Sequence, residues 1–212
     1  AASVDPSSDD SPFPCATIWD DADIRAHALM TDAVHAHGAL AGIELWHGGA
    51  ASVNRTSRIA PLSPSGVPWM PTHVGFMSAQ RPKIMDAEDI RALIQWHADA
   101  AVRAEQAGFD ILYVYAGMGY LPYQFLLPDY NHRTDAYGGS VRNRVRLVEE
   151  LLDAVREATH GRCAVALRMS MQELRARPSE VAESEAHEVV GLLKDAPDLF
   201  DVKMDYSAYD CA

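Results

Sequence analysis

Glu44 stands inside an apolar run, LAGIELW at 40–46. A carboxylate there is costly unless a cation or hydrogen-bond donors meet it. It reads either as half of a structural ion pair or as an acceptor for a ligand's N–H groups. Arg168 poses the opposite case near the end of a second apolar run, CAVALRM at 163–169. Its guanidinium cannot be deprotonated. It suits a carboxylate on a neighbouring strand or an anionic, electron-rich ligand. Five tyrosines, Tyr113, Tyr115, Tyr120, Tyr123 and Tyr130, gather in and after a third apolar run, FDILYVY at 109–115. Tyr113 and Tyr115 alternate onto one strand face. Aromatic faces attract alkylammonium groups, and a phenol can transfer a proton. Core or loop packing is the competing reading for each. Trp46, His47 and Trp69 can cover a flat ligand, but packing ranks first for them. His97, on an apolar helix face, reads as a core histidine.

These residues need elements to hold them. Residues 1–17, rich in Ser, Asp and Pro, read as a loop. Asp20 and Asp21 open a helix that Gly38 stops. Asp86 caps a second helix, with Asp89 three residues on and Gly108 at its end. Ser140 caps a third, carrying Val141, Val145, Val148, Leu151, Leu152 and Val155. Pro178 and Ser179 begin a fourth, through about Lys194. The apolar runs at 40–46, 109–115, 163–169 and 199–205 read as four strands. The order is therefore α-β-α-β-α-β-α-β, which implies a parallel α/β sheet buried on both faces. A doubly wound sheet and part of a (β/α)8 TIM barrel both fit. The segments after strands, 47–85 and 116–139, are long loops, and barrel enzymes carry their chemistry in such loops. A whole barrel takes roughly 250 residues and eight strands, so about four of the eight βα units are expected here.

Composition narrows the partners. The 212 residues carry a net charge of −12. This argues against nucleic acid or an anionic membrane surface, and leaves a small-molecule substrate. No apolar run reaches the length of a membrane span. Cys15, Cys163 and Cys211 stand far apart, with no CxxC spacing, so this segment alone builds no zinc or iron–sulfur site. The sparse, odd count fits a reducing compartment, and a cytoplasmic location is expected. Homo-oligomerisation stays open. The start, AASVDPSSDDSPFP, has neither the basic nor the apolar region of a signal peptide. No GxGxxG or GxxxxGK[ST] follows a strand.

One stretch is long and specific. AGFDILYVYAGMGYLPYQFLLPDYNHRTDAYGGSVRNRVRLVEE, at 107–150, resembles the signature of the Old Yellow Enzyme family. Its parts are a strand-end pair three apart (Tyr115 and Met118), Tyr120, the triplet Gln124-Phe125-Leu126, and the run from Asn131 to Arg144. ALAGIELWHGG at 39–49 and CAVALRMS at 163–170 agree in order and spacing. IELWHGGA and the tyrosine of YVYAG look like the trimethylamine and dimethylamine dehydrogenase branch.

The resemblance implies an FMN-binding (β/α)8 barrel, with residues 1–212 as the central part of that domain, incomplete at both ends. It implies Glu44 at the pyrimidine edge of the flavin and Arg168 near its N1 and O2. Tyr120 matches a proton-donating tyrosine. Tyr115 and Met118 match a substrate-contacting pair. In the amine branch the strand tyrosine, a histidine and a distant aspartate form a relay inside an aromatic cage. Tyr115 fits the first position and Asp210 the last, with Tyr206 as a cage aromatic. Two departures stand out. Met118 occupies the histidine position, and a thioether relays no proton. YSAYD is one residue off the family's W-x-x-D spacing. Lys203 is also unusual at its place. A 4Fe-4S cluster, where the parent protein has one, would be held downstream and not by this segment. The implied activity is oxidation or N-demethylation of a small amine by hydride transfer to flavin. An NAD(P)H-dependent ene-reductase is the alternative, and a partial barrel with no activity of its own is a third reading.

Overall fold

The computed structural model describes residues 1–8, 15–54, 57–69, 81–170 and 183–203. Its main sheet has five parallel strands: β1 (Ala2–Ser3), β2 (Gly42–Trp46), β5 (Ile111–Ala116), β6 (Ala164–Ser170) and β7 (Leu199–Lys203). They lie side by side in chain order. A doubly wound sheet reverses its strand order at a switch point, and this one does not. The chain forms part of a (β/α)8 barrel. Two short strands, β3 (Leu62–Ser63) and β4 (Lys83–Ile84), pair separately within the segment after β2.

The helices form where the caps demand. In α1 (Asp21–His35) the side chain of Asp20 takes the first free N–H groups and Asp23 returns the bond. Asp86 and Asp89 do the same for α2 (Ala87–Gln106). Such reciprocal caps satisfy donors that a helix start leaves unpaired. Ser140 accepts from the Asn143 amide to start α4 (Val141–Ala158). Gly108 ends the α2 turn at φ 87°, and a Cβ there would press on Thr31 of α1. Thr31 is buried and donates to the Ala107 carbonyl. α5 is described over Glu183–Leu193. The expected start near Pro178 lies outside the described residues.

Two segments read as loops carry structure. Ala2 and Ser3 extend the sheet beside Leu45 and Trp46, making five strands where four were expected. Within 116–139 a short helix, α3 (Leu121–Leu126), begins with Pro122 in its first turn. Proline is tolerated there because that N–H has no helical partner.

The sheet has two unlike faces. Ile43, Leu45, Leu112, Val114, Val165, Leu167 and Met169 are buried in the apolar core with Leu93, Val145, Val148 and Leu152 from the helices. The alternate residues point to the other, inner face. There Glu44, Tyr113, Arg168 and Asp201 are only partly buried.

Candidate functional site

Strand register brings the chemistry-bearing residues together. Glu44 is the neighbour of Tyr113, Tyr115 of Arg168, and Arg168 of Asp201. Alternation along each strand then puts Trp46, Tyr115, Arg168 and Asp201 in one row of the inner face. Glu44 and Tyr113 lie one row below. Lys203 lies one row above, beside Ser170.

Arg168 is the centre of this arrangement. Its Nη1 pairs with Glu44 Oε1 at 2.7 Å and with Asp201 Oδ2 at 2.8 Å. Its Cζ sits 5.3 Å from the centroid of the Tyr115 ring, close enough for a cation–π contact. Its Nε is buried and has no hydrogen-bond partner among the described residues. A buried donor left unpaired is expensive, so this atom is where a ligand acceptor would relieve the most. Burial works against the charge on Arg168, but the Glu44 and Asp201 carboxylates outweigh it and hold its pKa above the ordinary value.

Tyr115, against the guanidinium, leads to two further rings. Trp46 and Tyr120 stack at 4.9 Å between centroids, and Tyr115 meets Tyr120 edge-on at 5.0 Å. Tyr115 is almost wholly buried. That burial raises its phenol pKa, while Lys203 and Arg168 pull it down. Met118 follows the end of β5 at φ 52°, in the left-handed region, and is nearly half exposed. Gly119 comes next at φ 76°, where a Cβ would run into the Trp69 indole. Structure therefore brings together Glu44, Arg168, Tyr115 and Tyr120, and puts Met118 at the rim. Tyr206 and Asp210 lie outside the described residues.

Other candidates are scaffold. His47 is fully buried and stacks on Trp96. The Gly49 amide donates to its Nδ1, so Nε2 carries the proton and bonds Ser7 Oγ at 3.1 Å. Burial, and then the nearby His97, lower its pKa to about 3. His97 is a core residue, bonded through Nδ1 to the Leu93 carbonyl, and burial lowers it to about 4. Trp69 packs on Tyr130.

Two more residues bear on the site: Asp201, which the sequence reading did not single out, and Gln124, which it named only as part of the signature triplet. Asp201 was visible only as one charge in LFDVKMD at 199–205, the same signal that exposed Glu44. Gln124 is fully buried. Its Oε1 accepts from the Ala50 amide, and its Nε2 donates to the carbonyls of Gly48 and Gly119. It thereby ties the segment after β2 to the segment after β5.

The long run from Asn131 to Arg144 is architecture. Asn131 donates to the Phe125 and Tyr137 carbonyls. Arg133 clamps Asp135 and donates to the Pro64 and Met85 carbonyls. Arg144 donates to the Leu126 and Gly139 carbonyls and to Glu185. Among the described residues no helix is long and apolar enough to cross a membrane.

Known proteins share this organisation. The chain is 35% identical over 209 residues to dimethylamine dehydrogenase of Hyphomicrobium sp. (strain x), covering 95% of this chain and 28% of that one. It is 40% identical over 144 residues to an NADPH dehydrogenase of Bacillus velezensis, covering 68% of this chain and 40% of the relative. The chain thus spans well under half the length of these relatives. The solved structure of the 6-hydroxypseudooxynicotine amine oxidase HisD from Pseudomonas geniculata N1 superposes with a TM-score of 0.87 at 37% identity. It covers 98% of this chain and 31% of that one. Residues 1–207 match the profile of the NADH:flavin oxidoreductase / NADH oxidase family, and the chain belongs to that family.

Proposed function

We propose that residues 1–212 form the central part of an FMN-binding barrel domain whose parent protein oxidises or N-demethylates a small amine. The observation that carries this reading is the Arg168 cluster. The pyrimidine edge of an oxidised flavin offers one N–H donor flanked by oxygen acceptors, with a ring-nitrogen acceptor beyond. Glu44 offers an acceptor and the unpartnered Arg168 Nε a donor, side by side on the inner face. The residues present fit that edge. Bound FMN would supply the two-electron acceptor.

The chain's own groups do the rest. Arg168 keeps a permanent positive charge where electron density would accumulate, a fixed electrostatic role. Trp46, Tyr115 and Tyr120 give an aromatic wall suited to an alkylamine. Tyr115 and the rim residue Met118 are the substrate-contacting pair. Tyr206 and Asp210 belong to the same proposal as cage aromatic and relay carboxylate. The likeness to dimethylamine dehydrogenase and to the HisD amine oxidase supports the amine. Cytoplasmic placement follows from the sparse cysteines.

One observation favours a second reading. Met118 stands where the amine relay needs a proton-carrying side chain, while Tyr120 keeps a phenol beside the wall. That combination, with the likeness to NADPH dehydrogenase, fits an ene-reductase. The test is anaerobic mixing of the purified flavoprotein with small secondary and tertiary amines, then with NADPH and an enone. Flavin bleaching by an amine supports the first reading. Bleaching by NADPH alone, with reoxidation by the enone, replaces it with the second. A colourless protein rejects both.

A further inference from the structure

We propose that Asp201 is a positioning residue: it fixes the plane of the Arg168 guanidinium on the inner face and, by offsetting its charge, would lower the reduction potential of a flavin held there. The proposal rests on the flavin reading given above.

The geometry is specific. Asp201 and Arg168 are register partners on β7 and β6. Asp201 Oδ2 takes Nη1, the same nitrogen that Glu44 takes from the other side. Two carboxylates on one terminal nitrogen, with the Tyr115 ring against the guanidinium, fix the orientation of its plane. What they leave unpaired is Nε, which is buried. Had Asp201 bonded Nε and Nη2 in the usual bidentate fork, the Nε edge would not remain for a ligand. The single-nitrogen contact is therefore what keeps that edge free.

The charge count points the same way. Arg168 alone would strongly favour the electron-rich reduced flavin. Glu44 and Asp201 set two negative charges against one positive. Both carboxylates are about two-thirds buried or more, with side-chain exposures of 24% and 32%, so solvent screens them incompletely. Glu44 would also bond the flavin directly, which mixes contact with charge. Among the described residues Asp201 bonds Arg168, so Asp201→Asn changes the charge beside Arg168 while keeping an acceptor oxygen. Lys203, one row above on the same strand, is the other charge on this face of β7 and is kept constant in the test.

The experiment is a potentiometric titration of the full-length protein purified with its flavin. Asp201→Asn keeps the shape and an acceptor oxygen but removes the charge. Expected is retained flavin, with the oxidised–reduced equilibrium moved toward reduced by about tenfold, or about 30 mV for a two-electron couple. Asp201→Glu, which keeps the charge, should stay within about twofold of wild type, under ~10 mV. A shift under twofold in Asp201→Asn overturns the proposal, as does an equal upward shift in Asp201→Glu. Should Asp201→Asn fail to fold, Asp201→Ser carries the same expectation. A wild-type protein that binds no flavin overturns the flavin reading and this proposal with it. A wild-type flavoprotein whose potential ignores Asp201 overturns the proposal alone.

Discussion

Glu44 and Arg168 lie on strands separated by β5 and meet across the inner face in a 2.7 Å ion pair. Neither residue sits next to the other in register. Between them lies β5, whose inner face carries Tyr113 in the row of Glu44 and Tyr115 in the row of Arg168. It converts two charges, each costly in an apolar strand, into a fixed electrostatic feature at the mouth of the barrel.

Arg168→Ala removes the cation that pairs with both Glu44 and Asp201 and leaves the two carboxylates to repel each other. Flavin reduction should slow by at least ~10-fold, equal to about 1.4 kcal/mol of barrel-borne stabilisation. Stopped-flow absorbance measures it. An unchanged reduction rate removes Arg168 from the flavin site.

Tyr120→Phe keeps the ring that stacks on Trp46 and meets Tyr115, and deletes the phenol. Under amine oxidation, flavin reduction by the amine should stay close to wild type. Any enone reduction should fall about 100-fold, the usual weight of one positioned proton donor. Comparing the two half-reactions in one preparation decides which chemistry uses the hydroxyl. A large drop in the amine half-reaction would contradict the amine reading of this residue.

Gln124→Leu preserves volume and removes three hydrogen bonds. The Ala50 amide and the Gly48 and Gly119 carbonyls would then lose a buried partner. The cost should be about 3 kcal/mol, read as a shift in the urea midpoint at constant slope. A loss under about 1 kcal/mol would mean that water replaces the amide.

His47 and His97 set an acid limit. Folding holds them neutral, lowered to about 3 and about 4 from 6.5. Between pH 6.5 and those values the unfolded chain binds protons that the folded chain refuses. Their contribution is therefore complete above pH 6.5 and declines as pH falls through that window. The slope approaches about 1.4 kcal/mol per pH unit for each, or about 2.7 for both. His97→Met should flatten the measured stability slope between pH 6 and 5 by about half. An unaltered slope would assign acid unfolding to the carboxylates instead.

Much of this was legible along the chain because burial imposes patterns on it. The strands at β2, β5, β6 and β7 announced themselves as short apolar runs, and the capping aspartates marked the helix starts. Glu44 and Arg168 stood out as charges within such runs. That each is the other's partner was not legible, since it depends on register between strands more than a hundred residues apart. Asp201 gives the same signal as Glu44, and only the strand register pairs it with Arg168. The helix at Leu121–Leu126 was hidden because Pro122 reads as a breaker unless its place in the first turn is known. Ala2 and Ser3 were hidden because a two-residue strand carries no period.

The run from Asn131 to Arg144 illustrates a different limit. It was the strongest mark of kinship, yet its side chains bond carbonyls and caps around α3 and α4. Such a motif identifies a way of building the frame, and relatives with unlike substrates can share it whole.

Gln124 has an evolutionary reading. By lashing the crossing after β2 to the crossing after β5, it denies either segment an independent history. An insertion in one would have to be matched in the other or the lashing would fail. New substrate preferences are then reached by exchanging side chains on an inherited backbone, and a rim residue such as Met118 is where such an exchange disturbs least.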